Sequence, residues 1–257
     1  MISNDLLELS FKKLNEELRE DLNGKKLNND ITSNLLLNKS SNLRCVISNR
    51  EKLILCGTTF ITTMIFKQLF DQKSSTYTYL IASAKGREAL IIDPVIENVN
   101  QYVQLLKELN LNLVKVIDTH IHADHVTGAS KLKDITKCTT IMGDHSPANT
   151  VEIKVKDDEY INLDTLKIRA MYTPGHTSDS YSFLMDNYLF SGDTLLINGT
   201  GRTDFQNGNA KDAYNSIFNR LLKLPEETLL YPAHDYKGEK VSTIGKEKKT
   251  KPKITSK

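Results

Sequence analysis

The chain has 257 residues, 39% of them apolar and 26% charged, with a net charge of +2. That length and balance suit one globular α/β domain with an extension, and they leave no overall positive field to select nucleic acid. Three cysteines (Cys45, Cys56, Cys138), odd in number and without paired spacing, fit a reduced cytoplasmic compartment better than a disulfide-bonded secreted scaffold.

Residues 1–50 are rich in Asn, Ser and Lys, with a single Gly and no Pro. Leu7, Phe11, Leu14, Leu18 and Leu22 recur at helical spacing, so Asp5–Leu22 is expected as an amphipathic helix capped by Asn4. Its acidic residues argue against a mitochondrial transit peptide. The helix would dock a partner or pack on the domain edge, the second being the expected use. The longest apolar stretch, Leu53–Phe66, contains four threonines and is closed by Lys52 and Lys67. It is too short for a bilayer span, and strand or core packing is expected. Residues 1–63 are therefore set apart as an N-terminal extension, with no membrane partner.

From Met64 onward short strands and helices alternate. Tyr77–Ser83 and Ala89–Ile92 are β-rich runs around a Lys85-Gly86 turn, and Asp93-Pro94 stops the second. Val99, Val103, Leu106 and Leu109 mark a helix. Strands follow at Leu113–Ile117, Thr139–Met142, Ile161–Leu163, Leu166–Tyr172, Tyr181–Met185 and Tyr188–Phe190. A helix from Ala210 to about Lys223 precedes a strand at Thr228–Tyr231. The main folded domain is placed at 64–245. From Lys237 to Lys257 there are eight lysines against two glutamates, so 246–257 is expected as a solvated basic tail.

Several of these strands end in a His- or Asp-bearing loop. Five of the six histidines fall in such loops; only His145 does not. His120, His122, Asp124 and His125 place four metal-type donors in six residues, and in a loop they can surround one ion or two. His176 follows a Pro174-Gly175 turn that would aim its imidazole; alone, it would read as a surface group. Asp193 follows a strand through Ser191-Gly192, where an isolated Gly-Asp-Thr would read as a turn or cap. His234 completes the series in Tyr231-Pro-Ala-His-Asp235. Loops held at strand ends can bring such donors to one centre, and helices outside paired sheets would make a four-layer sandwich.

These motifs resemble those of the metallo-β-lactamase fold superfamily and, within it, the persulfide dioxygenase (glutathione persulfide-oxidising) family, over about Met64 to Lys253. The family mark is Gly192-Asp-Thr-Leu-Leu-Ile-Asn-Gly-Thr-Gly-Arg-Thr-Asp-Phe-Gln206, joined by His234-Asp-Tyr-Lys-Gly238 and Val241-Ser-Thr-Ile244. The histidines alone are shared with thiolesterases of the glyoxalase II type. The resemblance implies an αββα sandwich and an enzyme that oxidises glutathione persulfide with O2 and water to sulfite and glutathione. It implies one Fe(2+) per subunit on His120, His176 and Asp193, a facial set of two imidazoles and a carboxylate suited to oxygen chemistry. His122, Asp124, His125 and His234 would then orient the ligands rather than hold a second iron. Arg202 and Tyr236 match substrate-contacting positions, with a fold-stabilising ion pair as the competing role for Arg202. Lys253, after Pro252, stands where the family has an arginine; it keeps the charge but loses the planar fork. The alternative is a thiolester hydrolase acting on S-lactoylglutathione with two Zn(2+). A homodimer is left open, as are mitochondria as the alternative compartment.

Overall fold

Runs of aromatic and β-branched residues open the folded region as three antiparallel strands, β1 (Ile65–Asp71), β2 (Thr76–Ala82) and β3 (Glu88–Ile92). Every residue of β2 is buried, which requires cover on both faces of the sheet. The computed structural model describes residues 55–56, 59–60 and 64–250. The helix expected at Asp5–Leu22 and the residue Lys253 lie outside them. Within the apolar stretch, Leu55–Cys56 pairs with Thr59–Phe60, and β1 begins at its end.

The next elements cover the sheet's outer face. Helix α1 (Val99–Glu108) buries Val99, Tyr102 and Leu106, an apolar stripe at helical spacing. It stops where Asn110 takes a left-handed conformation (φ 53°), which asparagine tolerates. β4 (Asn112–Ile117), β5 (Thr139–Gly143) and β6 (Ile153–Val155) then add in parallel, giving the order β1-β2-β3-β4-β5-β6. Between β4 and β5 lies α2 (Ala129–Thr136), which the sequence reading left out. Only Ala129 and Leu132 of it are buried, too few to show a period.

The second sheet is built from β7 (Tyr160–Leu163), β8 (Leu166–Tyr172), β9 (Tyr181–Met185), β10 (Tyr188–Gly192), β13 (Leu229–Pro232) and β14 (Ser242–Thr243). Its order is β14-β13-β10-β9-β8-β7, with β10 and β13 parallel. A small hairpin, β11 (Leu195–Leu196) with β12 (Gly199–Thr200), projects after β10. The helix expected from Ala210 is α3 (Ala210–Tyr214), which widens to i→i+5 bonding over Asn215–Arg220 and tightens again over Leu221–Lys223.

Three apolar clusters define four layers. Tyr79, Ile81, Leu90 and Ile117 meet Ile168, Tyr181, Phe183 and Phe190 between the sheets. Leu80, Ile91 and Val116 pack outward on Tyr102, Leu106 and Leu132 of the first helices. Leu189 and Leu230 pack outward on Ile217, Leu221 and Ile244 of the last ones. The expected αββα sandwich is the fold.

The expected basic tail, 246–257, needs correction over residues 246–250, and residues 251–257 lie outside the described ones. Ile244–Thr250 is a helix, α4, in which Ile244 and Glu247 are fully buried while Lys246 and Lys249 face solvent. Ser242 Oγ (2.6 Å) and the Asn198 amide (3.0 Å) donate to the Glu247 carboxylate. The lysine count hid a two-sided element. Truncating the fully buried Phe183 between the sheets (Phe183→Ala) should cost about 3–5 kcal/mol of unfolding free energy, read as a lowered urea midpoint.

Candidate metal centre

One edge of the sandwich gathers the strand ends that carry the donors. Past the end of β4 lie Asp118, Thr119 and His120; past β3 lies Asp93; past β8, β10 and β13 lie His176, Asp193 and His234. Backbone bonds stitch the two sheets together here. Tyr77 N–H donates to Ala233 O (2.7 Å) and Tyr181 N–H to Thr119 O (2.9 Å), while Ala233 N–H donates to Gly192 O (2.9 Å) between β13 and β10 of the second sheet. Gly192 has φ 53°, and a Cβ on it would lie 2.7 Å from Thr119 Oγ1. Only glycine lets the end of β10 pass this close to the hydroxyl beside His120.

That hydroxyl sets the state of His120. Asp93 accepts from the Thr119 amide (2.7 Å) and from Thr119 Oγ1 (3.0 Å). With its proton given to Asp93, Oγ1 accepts from His120 Nδ1–H (2.9 Å), which leaves the lone pair on Nε2. His176 reaches the same tautomer differently, because its Nδ1 lies 2.8 Å from the Arg202 carbonyl, which can only accept. Asp193 Oδ1 takes a bond from His234 Nδ1 (2.6 Å), and Oδ2 faces the two free nitrogens at 3.9 Å (His120) and 3.5 Å (His176). The three free atoms lie within 4.8 Å of one another. The arrangement fits one cation with bonds of about 2.0–2.2 Å.

The remaining donors are arranged unlike these. His234 Nε2 and His125 Nδ1 both bond Asp124 Oδ2, at 2.9 and 2.8 Å. His122 Nε2 bonds Asp93 (3.2 Å). Two buried atoms, His122 Nδ1 and His125 Nε2, have no hydrogen-bond partner among the described residues. With Asp124 they form a second group able to hold an ion, and Asp93, Asp118 and His122 form a third.

A family model described as the metallo-beta-lactamase superfamily matches residues 72–234. The chain belongs to that superfamily. It is 39% identical to "Persulfide dioxygenase ETHE1, mitochondrial" of Bos taurus over 195 residues, 75% of this chain and 76% of the relative. It superposes on the crystal structure of ETHE1 from Myxococcus xanthus with a TM-score of 0.72 and 46% identity, covering 74% of this chain and 84% of that one. A hydroxyacylglutathione hydrolase of Dictyostelium discoideum is 32% identical, covering 62% of each chain. Both sequence relatives belong to the classes that the motifs resembled.

In this superfamily member the sequence reading passed over two groups. Asp93 was read only as a strand stop and Thr119 only as the start of a motif. Their signal was positional, a short polar side chain next to a ligand and a carboxylate at the neighbouring strand's end. Arg202 pairs with Asp204 (2.8 and 3.0 Å), but both side chains are well exposed, so the pair is no buried clamp on the fold. Tyr236 is exposed, and its ring lies parallel to that of His234, 6.0 Å away. A cleft lined by Ile197, Asn198, His234, Tyr236 and Lys237 opens beside them. His145, outside the set, stacks on Tyr172 at 3.8 Å.

Burial and neighbouring charge divide the imidazoles. Burial, aided by His122, lowers His120 to about 3, so its ring is neutral at physiological pH. Burial also opposes a charge on His234, but Asp124 and Asp193 outweigh it and raise that ring to about 10. Burial opposes the charged form of Asp193 too, yet the bond from His234 brings it to about 2. Burial raises Asp118 to about 7.

A group raised in the folded state stabilises below its unfolded value and loses that contribution as pH climbs through the folded one. The His234 contribution to the metal-free chain is therefore full below about pH 6.5 and gone above about pH 10. The stability difference between wild type and His234→Ala, from urea midpoints of metal-free protein, should shrink steadily between those limits. A constant difference would show that the imidazolium does not hold the two carboxylates.

Proposed function

We propose that the chain is an iron-dependent persulfide dioxygenase that oxidises glutathione persulfide, with one Fe(2+) per subunit held by His120, His176 and Asp193. The observation that carries this reading is the commitment of each ligand's other polar atom to the protein. His120 Nδ1, His176 Nδ1 and Asp193 Oδ1 are all hydrogen-bonded, which leaves Nε2, Nε2 and Oδ2 to converge. Two imidazoles and one carboxylate leave coordination positions open for a sulfur anion and O2. The identities to persulfide dioxygenases support the same reading.

The net change is RSSH + O2 + H2O → RSH + SO3²⁻ + 2 H⁺. Bound at these atoms, ferrous iron would supply a place for sulfur and dioxygen to meet and for electrons to pass between them. The protein's part is to hold its ligands in one state. In the neutral rings, Thr119 and the Arg202 carbonyl hold the proton on Nδ1 and so turn the lone pair to Nε2, while His234 Nδ1–H donates to Asp193 and fixes the carboxylate's orientation. Arg202 offers a planar fork at the rim that suits a glutathione carboxylate, and Tyr236 offers a ring beside His234. Lys253 is proposed as a further basic contact for the substrate.

A second reading, a two-zinc thiolester hydrolase, is favoured by the unpartnered His122 Nδ1 and His125 Nε2. Against it, His234 Nε2 and Asp124 satisfy one another, so two of the donors it requires are already engaged.

Protein purified without added metal should carry about one iron and consume O2 with glutathione persulfide. Two zincs with hydrolysis of S-lactoylglutathione would establish the second reading instead. Asp193→Ala should lose the metal, whereas His122→Ala should keep most of it and lose roughly 10–100-fold in turnover. Equal metal loss in both variants, by elemental analysis, would point to a dinuclear centre.

A further inference from the structure

The segment after β12, residues 201–209, is fastened to each of the three ligand loops. Gly201 N–H donates to Asp193 O (2.9 Å), and Asn209 N–H donates to Gly175 O (2.8 Å), next to His176. Gln206 Nε2 donates to Ile121 O (3.2 Å), next to His120. Between these points the Arg202 carbonyl accepts from His176 Nδ1. The fit is close: a Cβ on Gly201 would stand 2.1 Å from Asp193 O and 2.8 Å from His176 Nδ1. The backbone of this strap thus lies directly against two of the three proposed ligands.

Three of its side chains, those of Arg202, Asp204 and Phe205, are instead open to solvent. The Arg202 guanidinium lies 5.5 Å from the Phe205 ring centroid and is gripped through Nε and Nη2 by Asp204, two residues along the same strap. Arg202, Asp204 and Phe205 are all more than half exposed. An exposed pair of this kind is screened by water and contributes little. A ligand carboxylate can therefore take the fork from Asp204 at little cost. The exchange has a mechanical consequence. Asp204 ties Arg202 only to its own strap, whereas a ligand that also touches Tyr236, on the loop after β13, ties it to a second element.

We propose that the Gly201–Asn209 strap couples the two ends of the site: a carboxylate ligand that displaces Asp204 from Arg202 braces the carbonyl holding His176, so ligand capture and metal retention reinforce each other. Asp204 is then a resident competitor for the fork, and Arg202 a positioning residue through its backbone as well as an anion contact through its side chain. The coupling is reciprocal, because a ligand that tightens the metal is tightened by it to the same degree. The inference rests on the proposed function only for the choice of a glutathione-shaped ligand.

The test uses the full chain loaded with one equivalent of Co(II) and the thiol-free tripeptide γ-glutamyl-alanyl-glycine, which has no sulfur to bind the metal. The reading is the ratio of Co(II) release rates to a chelator without and with saturating tripeptide, together with the cobalt absorption bands. In wild type the tripeptide should slow release about fivefold, the low end of coupling between sites, and perturb the bands. In Arg202→Ala, which keeps the carbonyl, the ratio should fall to one. Asp204→Asn should tighten tripeptide binding up to about fivefold by calorimetry. A wild-type ratio of one, or equal slowing in Arg202→Ala, overturns the proposal. Oxygen uptake with glutathione persulfide by the iron-loaded chain is read separately: uptake without coupling refutes only the coupling, and coupling without uptake refutes only the activity.

Discussion

An imidazole can present one nitrogen to a cation only if its other nitrogen is held in the opposite role, and this requirement organises the whole donor edge. For His120 the holder is a hydroxyl, which accepts because its own proton is committed to Asp93. For His176 the holder is a backbone carbonyl, which has no proton to give. These two devices draw on the ends of β3, β4 and β8 and on the strap after β12. Neither sheet alone could supply both, so the sandwich must close before the ligand set exists.

The same edge carries a concentration of negative charge that the chain offsets with its own rings. Asp93 faces His122, while Asp124 and Asp193 share His234. Burying carboxylates is tolerable only with such partners. Asp118 shows the consequence of a weaker one: served by the Thr127 hydroxyl, it is pushed up to about 7 by burial. His234 is the pivot of this balance, since it fixes Asp193 while occupying Asp124. That double duty engages two donors, His234 and Asp124, that the two-metal reading requires.

Much of the fold was legible because its strands have two covered faces or regular alternation. Leu166–Tyr172 and Tyr181–Met185 occupy the ranges read from the sequence, and α1 follows its apolar spacing. Elements whose burial depends on a few side chains were not legible. α2 buries two residues, β6 has three residues with one buried, and α4 hides Glu247 among lysines. A charge run reports average polarity, whereas a two-turn helix needs only one buried face.

The donors of the site were similarly divided. Motif spacing by itself determined which histidines and aspartates are gathered at one edge, because clustered donor types at strand ends have few other uses and because local chain geometry already confines His120–His125 to one loop. Which atom of each residue is free was decided only by tertiary structure. Nitrogens on one ring are identical in sequence, and they become different only when Thr119, Arg202 and His234, far apart along the chain, are folded against them. Hydrogen bonds between distant strands carry that information, and no local pattern encodes it.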